Sequence, residues 1–226
     1  MTAAMPSYAQ SQQATTTFQN PMAWSDIPDP DVIRVGDNFY MVSTTMHLMP
    51  GAPIMKSKDL VNWETVNYIF PKLTDSPKYD MKDGTVYGRG QWATSLKYHH
   101  GKFYALFAPN DHPGGETYIC TADDIEGEWT VHSRLPHFHD ASLFFDDDGK
   151  CYYCGTQNRR EGSRYFGDNE IYIQELDLNT MKLVGESYPA WHGALRGVEW
   201  PEGPHIYKKD GYYYLLISEA GTGHNH

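Results

Sequence analysis

Four segments of this chain share one strand–turn–strand frame, and that repetition restricts the fold more than any other feature of the sequence. Residues 32–40, 95–104, 142–152 and 205–214 each run from an apolar stretch through a turn containing Gly or Asp into a stretch rich in Tyr or Phe. That is the signature of a β-hairpin. The first two hairpins are each followed by a second shared element, since residues 54–63 parallel residues 119–129, and a looser version at 171–178 follows the third. Gly36 and Gly101 are 65 positions apart, and so are Asp59 and Asp124. Two markers at one offset indicate an internal repeat. Short four-stranded units placed one after another are the blades of a β-propeller. The fourth unit reaches Ser218 and Glu219 and the sequence stops at His226. The expectation is therefore an all-β fold, with a propeller of which this chain supplies roughly the first three and a half blades. Such a chain leaves an open sheet edge, an aggregation liability, so a companion polypeptide or a longer chain is expected to complete the ring.

The 226 residues suffice for one large domain. Residues 19–226 are assigned to the incomplete propeller, and residues 1–18, rich in Ala, Ser, Thr and Gln without pattern, to a disordered leader or the remnant of a signal peptide. The latter implies a secreted or periplasmic location. The formal net charge of -11 argues against nucleic acid and anionic membranes as partners, and no apolar run approaches transmembrane length. Cys151 and Cys154 have the C-x-x-C spacing but fall within a predicted strand. Residues i and i+3 of a strand point to opposite faces, which rules out shared chelation. All three cysteines, with Cys120, are read as packing residues. No segment has helical periodicity, and residues 71–90 read as a polar connection between the first two units.

In a propeller the innermost strand of each blade lines a central channel, so the residues just ahead of each hairpin face it. These are Asp29 in the first unit, Gln91 to Thr94 in the second, His139 to Ala141 in the third and Pro201 to Pro204 in the fourth. Three units thus deliver a carboxylate (Asp29, Asp140, Glu202) and one delivers Trp92. Asp29 lies between Pro28 and Pro30. Proline fixes its own φ and pushes the preceding residue towards extended geometry, so the backbone at Asp29 is expected to be stiff and extended. Each acid taken alone also suits a turn, but their coincidence at one point of the repeat favours a shared pocket.

Three carboxylates and an indole around one pocket suit glycoside hydrolysis. One acid protonates the leaving oxygen and one base activates water, at a separation of roughly 6.5–9.5 Å for inversion. A third carboxylate raises the acid's pKa by like-charge repulsion, and an indole offers a face to a sugar ring.

With these residues in place the sequence resembles glycoside hydrolase family 43, five-bladed propeller enzymes that trim xylan and arabinan. The resemblance rests on residues 28–40, on 57–63, on Trp92-Ala93-Thr94-Ser95, on Asp140-Ala141-Ser142-Leu143-Phe144 and on Glu202-Gly203-Pro204-His205. It implies an inverting mechanism with Asp29 as general base, Glu202 as general acid and Asp140 tuning and orienting the acid. It also implies Trp92 as a wall of the terminal-sugar subsite and places Thr222 near the pocket. The implied activity is exo-release of pentose from xylo- or arabino-oligosaccharides. β-Xylosidase comes first, with α-L-arabinofuranosidase or a non-catalytic carbohydrate-binding propeller as alternatives. No cofactor is required for the chemistry. A structural calcium ion is held in many members, mainly through a region this sequence lacks. Ala141 departs from the proline of many members. His224 and His226 are read as a frayed end, and Met46 to Pro50 as a loop overhanging the pocket.

Overall fold

The computed structural model describes residues 17–74, 76–109, 116–136 and 140–226. Most of the expected leader, residues 1–16, and His139 of the third channel-facing segment lie outside the described residues. The first blade comprises β1 (Asp31–Val35), β2 (Asn38–Val42), β3 (Gly51–Ser57) and β4 (Glu64–Phe70). The second comprises β5 (Gln91–His99), β6 (Lys102–Pro109), β7 (Glu116–Ala122) and β8 (Thr130–Pro136). The third comprises β9 (Ser142–Phe145), β10 (Cys151–Asn158), β11 (Asn169–Asp177) and β12 (Lys182–Trp191). A two-stranded sheet follows, β13 (Glu202–Lys209) paired with β14 (Tyr212–Ser218). Strands within each sheet lie side by side in chain order. The first strands of successive sheets touch, β1 on β5, β5 on β9 and β9 on β13, so they form the inner wall. The three and a half blades expected from the repeat are present.

The repeat is visible at atomic detail. Gly36 and Gly101 both turn their hairpins with positive φ, 59° and 83°. Asp59 Oδ1 accepts from the backbone N–H of Val61 and Asn62 at 2.9 and 2.8 Å, and Asp124 Oδ1 accepts from Glu126 N at 3.0 Å. Both are the local turns that Asp side chains favour. Trp63 Nε1 then donates to Leu60 O, and Trp129 Nε1 to Ile125 O, so each tryptophan closes the loop that its aspartate opens.

The core lies between blades. Along β6, Phe103, Ala105 and Phe107 face the first blade and pack with Val42, Ile54 and Leu96. The alternate residues Tyr104 and Leu106 face the third blade and pack with Ile119, Leu143 and Tyr153. Both faces of the strand are covered, which is why its sequence is a continuous apolar run rather than an alternating one. Cys120 and Cys151 are free and buried in these layers, and Cys154 is free and buried on β10.

The connection at 71–90 departs from the polar linker expected. It contains a short 3-10 helix, Pro77–Asp80, capped by Ser76 with Pro77 in its first turn. Leu73 and Val86 are buried at 3% and 6% exposure, and Tyr79 packs on the first core layer. The Ser-Pro pair is a helix-start signal, but it sits in a single turn too short to display periodicity. Among the described residues no helix is long and apolar enough to cross a membrane.

Candidate active site

One cavity of about 250 Å³ opens where the inner strands begin, and Asp29, Asp140, Glu202 and Thr222 all line it. Ala93, Thr94 and Ser95 of β5, His205 of β13 and His226 complete much of its wall. A depression of about 280 Å³ bounded by Lys56, Asp59, Asn62 and Glu64 lies instead on the turn between β3 and β4. Asp59 there already accepts from Val61, from Asn62 and from the Ser57 hydroxyl, so its oxygens are committed to the turn. The depression's lining residues all come from the first blade, so no acid of another blade converges on it.

The backbone at Asp29 is not extended as the flanking prolines suggest. Its φ is 49°, and Asp140 has a φ of 51°. Asp is among the few residues besides Gly that adopt this region, at a cost repaid by surrounding structure. The restraint at Asp29 comes from both sides of its peptide. Pro28 O accepts from Ser43 Oγ at 2.6 Å and from Thr44 N at 3.1 Å, while Thr44 Oγ1 donates to Asp29 Oδ2 at 2.8 Å. These contacts anchor the segment to the end of β2 and override the extended preference of a residue before proline.

Asp29 and Asp140 each precede the first residue of their inner strand by two positions, whereas Glu202 is itself the first residue of β13. In the fourth unit the positive φ falls on Trp200, at 46°, two residues ahead of Glu202. The three acids therefore do not occupy one identical point of the repeat. A shared backbone kink precedes each inner strand, and in the fourth unit the acid has moved onto the strand while remaining in the cavity. Trp200 is held by its N–H to Gly167 O at 2.8 Å, and its ring lies where a Cβ on Gly167 or Gly221 would sit, at 2.9 and 2.6 Å. Ser218, hydrogen-bond register partner of Glu202 across the hairpin, also lines the cavity.

The electrostatics separate the acids. Burial pushes the Asp140 carboxyl up to about 7, reinforced by the charges of Glu202 and Asp29. Burial also raises Glu202, with His226 opposing and Asp29 reinforcing. Like-charge repulsion thus falls on Asp140 more than on the acid it was expected to tune. Two of the three groups are held towards their protonated forms, the arrangement that keeps a proton donor available near neutral pH.

Trp92 stands at the edge of this cavity. It lies on β5 next to Ala93 but outside the cavity lining, 37% exposed, with its indole N–H donating to Gly88 O at 3.1 Å. A register shift between Gln91 and Thr94 breaks the simple alternation of β5 at this point. Gln91, the first residue of the segment expected to face the channel, is instead fully buried and joins the two blades beside the cavity. Its Oε1 accepts from Thr45 N, Thr45 Oγ1 and Ala52 N at 2.7, 2.8 and 3.1 Å, and its Nε2 donates to Ser43 O and Thr94 Oγ1 at 3.2 and 2.8 Å. Its backbone also exchanges both hydrogen bonds with Met46. The loop from Met46 is thereby tied to β5. His226, expected to fray, lines the cavity, with its ring against Gly221 O and Ser218 Oγ.

Among the described residues no group of three or more His, Cys, Asp or Glu side chains is arranged to hold a metal ion.

The model of the glycosyl hydrolases family 43 matches residues 18–226. The chain is 46% identical over 211 residues to a xylosidase/arabinosidase of Butyrivibrio fibrisolvens, an alignment covering 92% of this chain and 40% of that protein. It is 38% identical to a xylan 1,3-beta-xylosidase of a Vibrio species, covering 94% and 40% of the two chains. The crystal structure of xylan beta-1,4-xylosidase from Bacillus halodurans C-125 superposes with a TM-score of 0.78 at 36% identity, covering 91% of this chain and 39% of that one. The chain spans about 40% of the length of the curated relatives it matches.

Proposed function

Since the chain belongs to glycosyl hydrolase family 43, we propose that it carries the acid–base centre of an inverting exo-glycosidase releasing pentose from xylan- or arabinan-derived oligosaccharides. The observation that carries this reading is that Asp29, Asp140 and Glu202, from three different blades, line one cavity. In this reading Glu202, raised by burial, protonates the glycosidic oxygen as the bond breaks. Asp29, with one oxygen held by Thr44, takes a proton from the attacking water. Asp140, itself held towards its protonated form, orients the acid, and the charge that opposes ionisation of Glu202 is that of Asp29. β-Xylosidase activity is the first expectation, supported by the names of several relatives. α-L-Arabinofuranosidase activity is the alternative, supported by the first relative's double name and by a non-reducing end α-L-arabinofuranosidase of Bacteroides ovatus at 32% identity.

We propose further that the working site needs additional blades, from a companion polypeptide or a longer chain. The coverage of the relatives supports this, as does the surface of β14, where Tyr212, Tyr214 and Leu216 are 68%, 52% and 59% exposed. An exported location is proposed from the composition of residues 1–18 alone.

The deciding test is hydrolysis of xylobiose by the full-length protein and its Glu202→Ala variant, with the anomer of the first product read by NMR. The reading expects the variant to lose turnover on this unactivated glycoside while still binding sugar, and the product to be inverted. Undiminished turnover, or retained configuration, rejects it. A purely carbohydrate-binding propeller would bind xylobiose and hydrolyse none.

A further inference from the structure

Beside the three acids the cavity has a wall of another chemical kind. Lys97 Nζ lies 3.2 Å from His205 Nδ1. An ammonium group has only donors, so Nδ1 must accept, the imidazole is neutral, and its proton resides on Nε2. The lysine is itself anchored. Asp31 Oδ2 stands 3.9 Å from Nζ while accepting from Leu96 N at 2.7 Å, and the Lys97 and Asp31 side chains are only 18% and 11% exposed. The Tyr207 ring lies 6.0 Å from Nζ. The groups come from β1, β5 and β13, so the assembly joins three inner strands. Burial lowers the basicity of His205, and Lys97 adds to this against the pull of Asp31. His205 lines the cavity, whereas Lys97 is not part of the lining. Ser95, also in the lining, is 6% exposed, and its hydroxyl is buried without any hydrogen-bond partner.

We propose that His205 and Ser95 bind a hydroxyl group of the pentose, with Lys97 as the positioning residue that fixes His205 as an Nε2–H donor. The proposal deepens the glycosidase reading and rests on it. An ionised carboxylate can only accept hydrogen bonds. A neutral imidazole N–H offers a sugar hydroxyl oxygen a donor that none of the three acids supplies once ionised. The orphaned Ser95 hydroxyl acquires a partner when the sugar is bound.

The test uses the full-length protein and D-xylose as probe. In the wild-type protein, long-range ¹H–¹⁵N spectra are expected to show His205 neutral and protonated at Nε2 at pH 7. A ring protonated at Nδ1, or at both nitrogens, overturns the proposal without recourse to any variant. By calorimetry, Ser95→Ala and His205→Gln are expected to weaken D-xylose binding about tenfold each, the loss of one hydrogen bond to a ligand. Lys97→Met is expected to weaken it similarly and to let His205 titrate, and Lys97→Arg to restore both properties. Wild-type affinity in Ser95→Ala and His205→Gln overturns the proposal. If the wild type hydrolyses xylobiose while those variants bind normally, only this inference falls. If the wild type neither binds pentose nor hydrolyses it, the glycosidase reading falls as well.

Discussion

The Thr44 hydroxyl donates to Asp29 Oδ2 at 2.8 Å, while the Thr44 N–H holds Pro28 O at 3.1 Å. One residue just beyond the end of β2 therefore holds both the backbone and one carboxylate oxygen of the proposed base. Replacing it with valine keeps the shape and removes the hydroxyl. A hydrogen bond to a charged group contributes about 1.5–3 kcal/mol. Thr44→Val is accordingly expected to lower kcat by roughly 10–100-fold, with little change in KM, if the bond matters mainly as the water is deprotonated. Steady-state kinetics on xylobiose would show it, and an unchanged kcat would mean that Asp29 needs no such support.

Asp140 makes stability depend on pH in a definite direction. Its carboxyl is raised to about 7 in the folded chain from 3.8. Below the lower value both states are protonated. Between the two the folded state keeps a proton that the unfolded state has released, so stability falls as pH rises through that window and levels off above about 7. Asp140→Asn removes the dependence. The variant should gain on the wild type by about 2–4 kcal/mol between pH 4 and pH 8 while losing activity. Thermal unfolding across that range measures the difference, and parallel pH profiles would show that Asp140 is not held protonated.

Gln91→Leu should be among the most damaging single changes outside the acids. The substitution leaves the amides of Thr45 and Ala52, both bonded to Gln91 Oε1, without that partner. At about 1–3 kcal/mol for each buried polar group left unpaired, a loss of roughly 3–5 kcal/mol is expected in denaturant unfolding. The loop from Met46 should also become more accessible to protease, since it is tied to β5 through Gln91. A loss below about 1 kcal/mol would show that the surrounding groups find other partners.

Gly221→Ala tests the support of Glu202 from outside the cavity. The added Cβ would lie 2.6 Å from the Trp200 ring, at a backbone φ of 62° that side chains rarely adopt. The ring must move, and Glu202 is two residues away. A stability loss of about 1–3 kcal/mol should accompany a fall in kcat. Crystallography of the variant would locate the displaced ring, and full activity would uncouple Trp200 from the acid.

Much of this was legible because it is local. Hairpins at Gly36, Gly101, Asp147–Gly149 and Gly211, the Asp59 and Asp124 turns and the apolar runs of the buried strands all carry their signal within a few residues. Pocket membership of Asp29, Asp140 and Glu202 followed from the repeat, because the starts of successive inner strands converge, although Glu202 sits two positions further along than the other two acids. What escaped depends on partners far along the chain. The φ of Asp29 is decided by Ser43 and Thr44, whose hydroxyls no proline rule anticipates. Gln91 is one amide beside a conspicuous tryptophan, and only folding reveals that it, and not Trp92, is buried at the blade junction. His226 is held against Gly221 and Ser218, contacts that the composition of a chain end does not reveal.

The apolar layers lie between sheets, and each proposed catalytic carboxylate rides on a different sheet. The spacing of the acids is therefore a mechanical output of the wedges that hold the blades apart. Phe107 and Tyr118, Leu143 and Tyr153 act as shims, and altering their volume would swing one acid relative to the next like hands on neighbouring dials. Distances at the reaction centre can in this way be retuned by substitutions that never touch a sugar, and two chains with identical acids can differ in rate because their shims differ.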